Sequence, residues 1–471
     1  MLIHVVTAGE TLWQIAQKYH VDTEVITRLN GLPNPNQLLI GQSLVIPSPN
    51  SSYIVKKGDT LWLIANMLGV SMQSIIEANQ LVNPNFLLPG SKLLIPQTTH
   101  TIEEGETLSQ IANRYGTTVQ AILIENQLMD ADMIYPGVDL IIPPRKPLID
   151  VNAYTYQPEE EAVNSLNSVG RLLTYFSPFA YTIQADGTLE GINDQRMIEA
   201  AISEQIVPML TITNFSSTET GSQLAHTILS SPGLSEETIT HILQVMDEKG
   251  YTVLNVDFEN VLPADKENYN RFLQMAANRL HPKGYQLSSA LAPKTSATQP
   301  GLLYEAQDYA AHGRIADFVI LMTYEWGYRL GPPQAISPIN NMREVVEFAL
   351  SVMPPEKIFL GFQIYARDWL LPHVQGQEAE TFSQQEAIRR ATEHGATIQY
   401  DTTAQSSYFH YVDDQGREHE VWFEDARSAQ AKFDLIKQYN LRGVSYWALG
   451  YPFPQNWVLI DANFTIRKRI S

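Results

Sequence analysis

Apolar and polar positions in the first third of the chain follow one pattern that occurs three times. Each copy opens with a short strand-like run (HVV, YIV or HTI), continues with two stretches whose apolar residues have helical spacing, and closes with a strand-like run that ends in Pro. Gly9, Gly58 and Gly105 occupy equivalent positions, 49 and 47 residues apart. The pattern predicts three small β-α-α-β modules. Their predicted bounds are 2–47, 53–96 and 100–143.

Two polar residues recur at the ends of the predicted helices. A Thr stands where the first helix begins, and we expect its hydroxyl to cap the helix by accepting a hydrogen bond from a backbone amide. An Asn stands where the second helix ends, and we expect it to act as a C-cap. The Thr positions are Thr11, Thr60 and Thr107, and the Asn positions are Asn30, Asn79 and Asn126.

The remaining chain, residues 148–471, alternates strand-like apolar runs with helical stretches. The strand candidates are LIDVNAYTY, RLLTYFSPF, IVPMLTITNF, TVLNVDFEN, YQLSSALAP, DFVILMTYEW, KIFLGFQIYA and GVSYWALG. Eight such strands predict an α/β fold, a (β/α)8 TIM barrel, whose active site lies at the C-terminal ends of the strands. A small α+β insertion is expected at about 397–428, where the chain alternates like a hairpin around DDQG. The segments SPNSS, QTT and PPRKP are predicted to be spacers.

Composition narrows the classes of ligand. The net charge is −20 and the pI is about 4.9. Such an acidic chain repels phosphate backbones and anionic lipids, so a neutral ligand is expected rather than nucleic acid or a membrane. The sequence has no Cys, and its His residues show no metal-ligand spacing, so neither a metal nor a cofactor is expected. The N-terminus has no basic segment followed by a long apolar run, so we expect no signal peptide.

The segment YTVLNVDFEN, residues 251–260, places acids at the end of a strand that is otherwise apolar. Because strand residues alternate between faces, Asn255, Asp257 and Glu259 are expected to share the side that faces the barrel lumen. Residues two apart on a strand are about 6–7 Å apart, close enough for the two carboxylates to interact. A partly buried pair of this kind raises the pKa of one member, which lets it act as a general acid near neutral pH.

The three modules resemble LysM domains, through G-[DE]-T-L after the first strand, an Asn after the second helix and a terminal [VLI]-I-P. The resemblance implies that they bind glycans that contain N-acetylglucosamine, such as peptidoglycan or chitin. It places the ligand between the loop at Gly9–Leu12 and the loop at Asn36–Ile40, and between the equivalent loops of the other modules. The candidate glycan-binding residues are Gly9, Thr11, Leu12, Gly58, Thr60, Leu61, Gly105, Thr107 and Leu108.

The strand ending in NVDFE resembles the end of the D-x-x-D-x-D-x-E signature of glycoside hydrolase family 18. The resemblance implies that Glu259 is the proton donor and that Asp257 orients the acetamido group of the substrate. It also implies substrate-assisted catalysis with retention of configuration, in which the sugar's own N-acetyl oxygen attacks the anomeric carbon. Thr252 and Asn255 stand where the family has two further Asp residues. Asn255 is expected to support Asp257 through a neutral hydrogen bond.

Two other predicted strand ends fit the same family. LMTYEWG matches its M-x-Y-[DE] motif, and VSYWALG places a Trp on the eighth strand. The resemblance implies that Tyr324 contacts the acetamido carbonyl, that Glu325 contacts sugar hydroxyls, and that Trp447 forms the floor under the sugar. Met322, from the same motif, is a further candidate for substrate binding. Asn214 and Gln363 are candidates from their positions at predicted strand ends alone.

The whole layout, modules followed by a barrel, is similar to the spore germination and cortex-lytic enzymes of endospore formers. That similarity implies a retaining β-N-acetylglucosaminidase that hydrolyses peptidoglycan, synthesised in the cytoplasm and located in the spore cortex or coat. Two alternatives stay open at this stage. A chitinase would use the same site chemistry, and a lectin-like, non-catalytic spore coat protein would use the modules alone.

Overall fold

The computed structural model describes residues 1–47, 51–55, 58–68, 70–115, 117–126, 128–132, 134–143, 146–215 and 221–469. Parts of the predicted spacers SPNSS and PPRKP therefore lie outside the described residues. Each of the three modules has the predicted β-α-α-β order, and its two strands pair in antiparallel fashion. The modules consist of β1 (Leu2–Val5), α1 (Leu12–Tyr19), α2 (Thr23–Asn30) and β2 (Ser43–Ile46); β3 (Ser51–Ile54), α3 (Leu61–Leu68), α4 (Met72–Asn79) and β4 (Lys92–Ile95); and β5 (Thr98–Thr101), α5 (Leu108–Tyr115), α6 (Val119–Glu125) and β6 (Asp139–Ile142).

The predicted Thr caps are confirmed in all three modules. The Thr11 hydroxyl accepts a hydrogen bond of 3.3 Å from the Gln14 amide. Equivalent bonds reach Thr60 from Leu63 and Thr107 from Gln110, at 3.2 and 3.3 Å. Each cap satisfies one of the amides that a helix N-terminus leaves without a partner.

The predicted C-cap role of the repeated Asn is wrong in the first two modules, where the C-caps are Gly31 and Gln80. In the first module, the C-cap of α2 is Gly31, in the left-handed conformation. The Asn30 side chain instead donates to the carbonyls of Ile26 and Val45 and accepts from the Val45 amide, at 2.8, 2.8 and 2.6 Å. Asn79 and Asn126 make the same set of bonds in their modules. A side-chain amide offers a donor and an acceptor together, so it can fasten a helix to the backbone of a strand.

The second part of the chain contains the barrel. Its elements up to the seventh barrel strand are β7 (Leu148–Thr155), α7 (Glu159–Val169), β8 (Tyr175–Pro178), β9 (Tyr181–Ile183), β10 (Leu189–Glu190), α8 (Gln195–Ser203), β11 (Val207–Thr213), α9 (Ser222–Ser230), α10 (Pro232–Lys249), β12 (Val253–Asp257), α11 (Lys266–Leu280), β13 (Gln286–Leu291), α12 (Tyr309–Ile315), β14 (Phe318–Leu321), α13 (Ile339–Leu350) and β15 (Ile358–Gln363). The elements that follow are β16 (Tyr365–Leu371), β17 (Glu380–Ser383), α14 (Gln384–Glu393), β18 (Gln399–Asp401), β19 (Ser406–Val412), β20 (Glu418–Phe423), α15 (Ala426–Tyr439), β21 (Gly443–Trp447), α16 (Pro454–Asn463) and β22 (Thr465–Ile466).

The predicted barrel is confirmed. Among the described residues, the eight strands β7, β8, β11, β12, β13, β14, β15 and β21 pair in parallel in this order, and β21 closes the ring by pairing with β7. The outward-facing residues of the strands pack against the surrounding helices in one large core. Inward-facing aromatic and aliphatic side chains, such as Tyr175, Phe318 and Phe359, fill the lumen. The C-terminal strand ends therefore meet at one mouth.

The insertion begins earlier than the predicted position of about 397. Residues 365–423, all of which the structure describes, form a five-stranded antiparallel sheet in the order β17-β16-β20-β19-β18, together with α14. The hairpin predicted around DDQG is present, with Val412 opposite Glu418. The early start escaped the sequence pattern because Ile364 alone separates β15 from β16. The two strands therefore read as one continuous apolar run.

The first module packs against the barrel domain. Its α2 and β2 contact α15 and α16, and its Val45 belongs to the large core of the barrel. Val45 is fully buried there. Across the described part of the chain, no helix is both long enough and apolar enough to cross a membrane.

Candidate active site

The acidic strand end lies at the mouth of the barrel, as its alternation predicts. Val253 points into the lumen cluster, whereas Leu254, Val256 and Phe258 pack outward against the helices. Asn255, Asp257 and Glu259 therefore face the lumen, with Glu259 two residues beyond the end of β12. The end of β12 and the residues that follow it therefore bring two acids to the barrel mouth.

Both acids are poised to hold protons. Asp257 is only 5% exposed, and its Oδ1 has no hydrogen-bond partner among the residues that the structure describes. Burial, followed by the charge of Glu259, raises the pKa of Asp257 well above its usual range. Burial, followed by the charge of Glu325, raises the pKa of Glu259 to about 7. A Glu with this pKa can donate a proton at neutral pH and accept one in the next step.

The backbone of Glu259 is held in place by Asn214, at the end of β11. The Asn214 side chain accepts a hydrogen bond from the Glu259 amide and donates one to its carbonyl, both at 2.8 Å. A further bond reaches the Gly221 carbonyl at 3.1 Å. Asn214 is fully buried and both of its N–H donors are engaged, so it lies behind the site rather than in contact with a sugar. The sequence position was a correct guide to the site, but the predicted binding role does not fit.

Tyr324 and Glu325 follow β14 and reach the same mouth. Burial raises the pKa of Tyr324 well above its usual range, and Tyr154, Asp257 and Glu259 add to the effect, which shows that these groups converge. The hydroxyl therefore remains a hydrogen-bond donor. A Cβ at Gly361 would lie 2.9 Å from the Tyr324 ring and 2.2 Å from a backbone oxygen, so glycine leaves the room that this tyrosine needs. Met322, from the same motif, is half-buried in the same segment.

Glu325 is held by two residues that the sequence analysis missed. Its backbone has φ +70°, in the left-handed region that a Glu seldom adopts. Arg367 donates to both carboxylate oxygens at 2.8 Å, and the Tyr365 hydroxyl donates to one of them. Both partners come from β16 of the insertion. The sequence signal that could have indicated them is an Arg within the otherwise apolar and aromatic run QIYARDW, because an Arg at such a position needs a partner when it is buried.

Trp447, at the end of β21, is half-buried among aromatic side chains. Its ring centroid lies 4.7 Å from that of Phe179 at an interplanar angle of 79°, and 5.6 Å from that of Tyr154. Tyr156, which is half exposed, lies 5.8 Å away. Edge-to-face contacts of this kind hold an indole ring rigidly and leave a flat apolar surface for a sugar ring.

The hydrogen bond expected between Asn255 and Asp257 is not the one that forms. Asn255 donates to the Tyr154 hydroxyl at 3.0 Å and to the Thr211 hydroxyl at 3.5 Å, and it accepts from the Ser288 hydroxyl at 2.7 Å. Thr211 and Ser288 are its direct neighbours in the barrel register. Lateral neighbours are about 5 Å apart, whereas Asp257 lies about 6–7 Å further along the strand, so the short Asn side chain bonds sideways. Asn255 therefore links β12 to β7, β11 and β13 through side-chain hydrogen bonds below the acid pair.

Gln363 is fully buried at the end of β15 and makes no surface for a ligand. It donates to Glu424 at 3.1 Å and accepts a bond from Ser337. The Ser337 hydroxyl oxygen also lies 2.9 Å from the carbonyl oxygen of Thr323, next to Tyr324. The residue links the site to the end of the insertion, and the predicted substrate contact does not fit its position.

The candidate glycan-binding residues of the modules fall into two groups. The Gly and Thr members are exposed on the loop after the first strand, as a binding role requires. The Leu members are buried in the hydrophobic cores of their modules, so their place is structural. The exposed members are Gly9, Thr11, Gly58, Thr60, Gly105 and Thr107, and the buried ones are Leu12, Leu61 and Leu108.

Comparisons with known proteins agree with this geometry. The sequence pattern of Glycosyl hydrolases family 18 matches residues 213–451, and that of the LysM domain matches residues 4–47, 53–96 and 100–143. A cortical fragment-lytic enzyme of Bacillus subtilis (strain 168) is 44% identical over 474 aligned residues, which cover 100% of this chain and 99% of that protein.

Two solved structures are also similar over nearly their whole length. They are crystal structures of the spore cortex-lytic enzyme SleL, from Bacillus megaterium QM B1551 and from Bacillus cereus. Their TM-scores are 0.79 and 0.80, and both are 37% identical to this chain. Each alignment covers 99% of this chain, with 99% and 98% of the respective solved chain. The barrel fold and the modules thus agree with the comparisons, and the chain belongs to Glycosyl hydrolases family 18, as a glycoside hydrolase with LysM domains.

Proposed function

We propose that this protein is a retaining β-N-acetylglucosaminidase that hydrolyses fragments of spore cortex peptidoglycan. The observation that carries the proposal is the acid pair at the barrel mouth, a half-buried Glu259 with a pKa of about 7 and a buried Asp257 with a pKa well above its usual range. The pair lies beside a rigid Trp447 and a Tyr324 hydroxyl, which suits an N-acetylated sugar. The B. subtilis relative, described as a cortical fragment-lytic enzyme, supports the substrate class.

In the proposed first step, the N-acetyl carbonyl oxygen of the sugar attacks its own anomeric carbon. The bond from that carbon to the glycosidic oxygen breaks, and Glu259 gives its proton to the departing oxygen. Asp257 and Tyr324 hold the acetamido group: the carboxyl group of Asp257 stabilises the positive nitrogen of the oxazolinium ion, and the Tyr324 hydroxyl donates to the carbonyl oxygen. Trp447 supports the apolar face of the ring, and Glu325, fixed by Arg367, accepts from sugar hydroxyls.

In the second step, Glu259 is ionised and takes a proton from a water molecule. The water oxygen attacks the anomeric carbon, the oxazolinium ring opens, and the N-acetyl group is restored. Two successive inversions at one carbon give net retention. The rise in the pKa of Glu259 fits this exchange, because a group with a pKa near the working pH can both give and take a proton.

The LysM domains and the barrel site both suit a glycan that contains N-acetylglucosamine, which we propose as the partner. An acidic surface favours such a neutral ligand over nucleic acid or an anionic membrane. We propose a location in the spore, in the cortex or coat, because the relatives over the full chain are described as cortex-lytic.

The test is to incubate the protein and a Glu259→Gln variant with cortex muropeptide fragments and with chitin oligomers. Mass spectrometry then identifies the products. Cleavage of cortex fragments after N-acetylglucosamine, lost in the variant, would support the proposal. Cleavage of chitin oligomers alone would point to a chitinase, and binding without cleavage of either would point to a lectin. NMR of the first-formed anomer tests retention.

A further inference from the structure

The three LysM domains differ at one loop, although their folds are the same. We define the loop tip as the three residues that end at the glycine just before the last strand: 39–41, 88–90 and 135–137 in the three domains. The first residue of the tip is apolar in each domain. Leu39 is only 7% exposed, whereas Leu88 and Tyr135 are 63% and 64% exposed. The first loop tip is therefore covered, and the other two face solvent.

The insertion covers the first loop tip. Leu39 belongs to the hydrophobic core of the insertion, together with Ile398, Phe409 and Phe423. The Ile398 amide donates to the Ile40 carbonyl at 2.9 Å, and the Arg427 guanidinium donates to the Gly41 carbonyl at 3.0 Å. These hydrogen bonds are made to particular backbone carbonyls, so they fix the position of the loop tip relative to the insertion and α15.

Further bonds fasten the same domain to the last helices of the barrel. The Gln455 amide, on α16, donates to the Asn30 side chain and to the Ser43 carbonyl, both at 2.8 Å. The Ala426 amide, at the start of α15, donates to the Ser43 hydroxyl at 3.2 Å. Asn30 thus carries both the bond set common to all three domains and a contact peculiar to the first.

The tip glycines show how close this contact is. Gly41, Gly90 and Gly137 have φ values of +82°, +87° and +85°, so a side chain would strain the backbone equally at each. A Cβ at Gly41 would lie 1.9 Å from the Ile398 carbonyl oxygen, which is impossible without movement. At Gly90 and Gly137, no atom of the described residues lies within 4 Å of that position.

The insertion that rests on this loop tip also builds the active site. The core that contains Leu39 contains Ala366, which lies between Tyr365 and Arg367 on β16. Those two neighbours hold the strained Glu325 at the barrel mouth. Glu424, which accepts a hydrogen bond from Gln363, directly follows Phe423 of the same core at the end of the insertion. The small core of the insertion therefore contacts the first LysM domain through Leu39 and also supports the residues that hold Glu325.

We propose that the first LysM domain is a positioning element of the catalytic domain, and that retention on glycan depends on the loop tips of the second and third domains. The part that concerns retention rests on the proposed function, since it takes the ligand to be a glycan that contains N-acetylglucosamine. The first domain keeps the insertion, and with it Arg367 and Glu325, in the geometry that binds the sugar. The exposed Leu88 and Tyr135 offer apolar surface to pyranose rings.

The first experiment compares Gly41→Ala with Gly90→Ala in the full chain. Both substitutions add the same backbone strain, so a melting temperature lowered by at least about 4 °C more in Gly41→Ala reports the lost contact. For kinetics, Gly41→Ala is compared with Gly250→Ala, because Gly250 has φ +85° and no described atom within 4 Å of an added Cβ. With a soluble chromogenic N-acetylglucosaminide, we expect KM to rise about fivefold or more in Gly41→Ala while kcat changes less than twofold.

Leu39→Ser serves as a milder second variant if Gly41→Ala does not fold, and Leu88→Ser is its matched control. A positioning role predicts the same rise in KM for Leu39→Ser at a temperature far below its melting point. A purely structural contact would lower the melting temperature and leave KM unchanged, which would overturn the proposal. Equal melting temperatures in Gly41→Ala and Gly90→Ala would overturn it as well.

The retention experiment uses chains that carry Glu259→Gln, so that cleavage does not release the protein. Co-sedimentation with insoluble cortex peptidoglycan should weaken about tenfold or more when Leu88→Ser and Tyr135→Ser are combined, because two of the linked sites are lost. Leu39→Ser should sediment as the parent does. Loss of retention in Leu39→Ser equal to that of the combined variant would overturn the division of roles. The proposed function would be refuted if the chain with Glu259 intact failed to cleave cortex fragments and the Glu259→Gln parent failed to sediment, while the melting comparison would still test the contact.

Discussion

Two buried aspartates lie at opposite ends of the barrel, and their surroundings are opposite in kind. Asp150, near the start of β7, is 1% exposed and lies 2.9, 3.1 and 2.6 Å from nitrogen atoms of Arg442, Arg467 and Arg469. Asp257, at the end of β12, is 5% exposed and has a carboxylate neighbour rather than a cation. One end surrounds its acid with positive charge, and the other leaves its acid uncompensated.

The difference separates stability from chemistry. A buried carboxylate among cations holds together the strands and the C-terminal tail that supply its partners. A buried carboxyl group beside another acid resists ionisation, which costs folding free energy but provides the pair of acids that the proposed mechanism uses. In barrels of this kind, the N-terminal end serves stability and the C-terminal end serves function. The two aspartates show that division in a single residue type.

The largest expected effect is on activity at the mouth. Glu259→Gln keeps the shape of the side chain but removes the acid, so we expect kcat to fall by about 10²–10⁴-fold, the usual contribution of a general acid. The measurement is hydrolysis of a soluble N-acetylglucosaminide. Glu267→Gln, an exposed acid in the first turn of α11, is the matched control. Comparable activity of the two variants would remove Glu259 from the mechanism.

The second prediction concerns Asp150, at the N-terminal end of the barrel. Asp150→Asn leaves the neighbouring arginines without their counter-charge, so we expect a loss of about 3–5 kcal/mol in the free energy of unfolding. Urea denaturation measures this loss, and the activity of the molecules that remain folded should stay near that of the unsubstituted protein. Asp257→Asn should behave in the reverse way, with little loss of stability and a large loss of activity. If both variants lost stability alike, the contrast between the two ends would be wrong.

The pH dependence of stability sharpens the same contrast. Carboxyl groups of the unfolded chain have a pKa of about 4, whereas folding raises the pKa of Glu259 to about 7. As the pH rises from about 4 to 7, the unfolded state loses a proton that the folded state keeps, so Glu259 lowers the free energy of unfolding across this window. Glu259→Gln should therefore melt higher than the unsubstituted protein at pH 8 and about equally at pH 4.

Calorimetric scans at the two pH values check that prediction, and kcat/KM gives a second view of the same group. Activity should decline above about pH 7, as Glu259 loses its proton before substrate binds. A melting difference that is equal at pH 4 and pH 8, or activity that is flat through pH 7, would contradict the raised pKa.

The smallest expected effect concerns Asn255. Asn255→Asp retains the bond from Ser288 but places a further carboxyl group in the lumen, and like charge raises the pKa of its neighbours. We expect the alkaline limb of the kcat/KM profile to move upward by less than about one pH unit. Asn255→Ser is the control, because it removes the amide without adding charge. A shift to lower pH in Asn255→Asp would show that the new group acts on Asp257 in some other way.

The sequence was sufficient where periodicity or local geometry decides the structure. All eight barrel strands were predicted from alternating apolar runs, and the Thr caps from one residue beside one helix. The lumen-facing set of Asn255, Asp257 and Glu259 followed from strand alternation alone. The motif around Tyr324 and the Trp at the end of β21 also converge at the barrel mouth, although their roles remain predictions.

The sequence was insufficient where a contact joins distant segments. Arg367 reaches Glu325 across 42 positions, and nothing local indicates that pairing. Asn255 bonds to Thr211 and Ser288 because of barrel register, which depends on the closed sheet. The repeated Asn was taken as a cap because its link to the last strand spans 15 positions. In each case the residue type was informative, but its partner came from the tertiary fold.

The docking of the first LysM domain changes the way in which the other two are attached. Binding domains N-terminal to a catalytic domain are usually described as joined to it by one flexible linker, with their other end free. Here the second and third domains begin after a domain that is locked to the barrel and end where Lys146 bonds to the Asp461 carbonyl at 2.6 Å. The second and third domains are therefore attached to the barrel domain at both ends of the pair. If these domains bind glycan as proposed, attachment at both ends would restrict their binding to glycan close to the barrel domain.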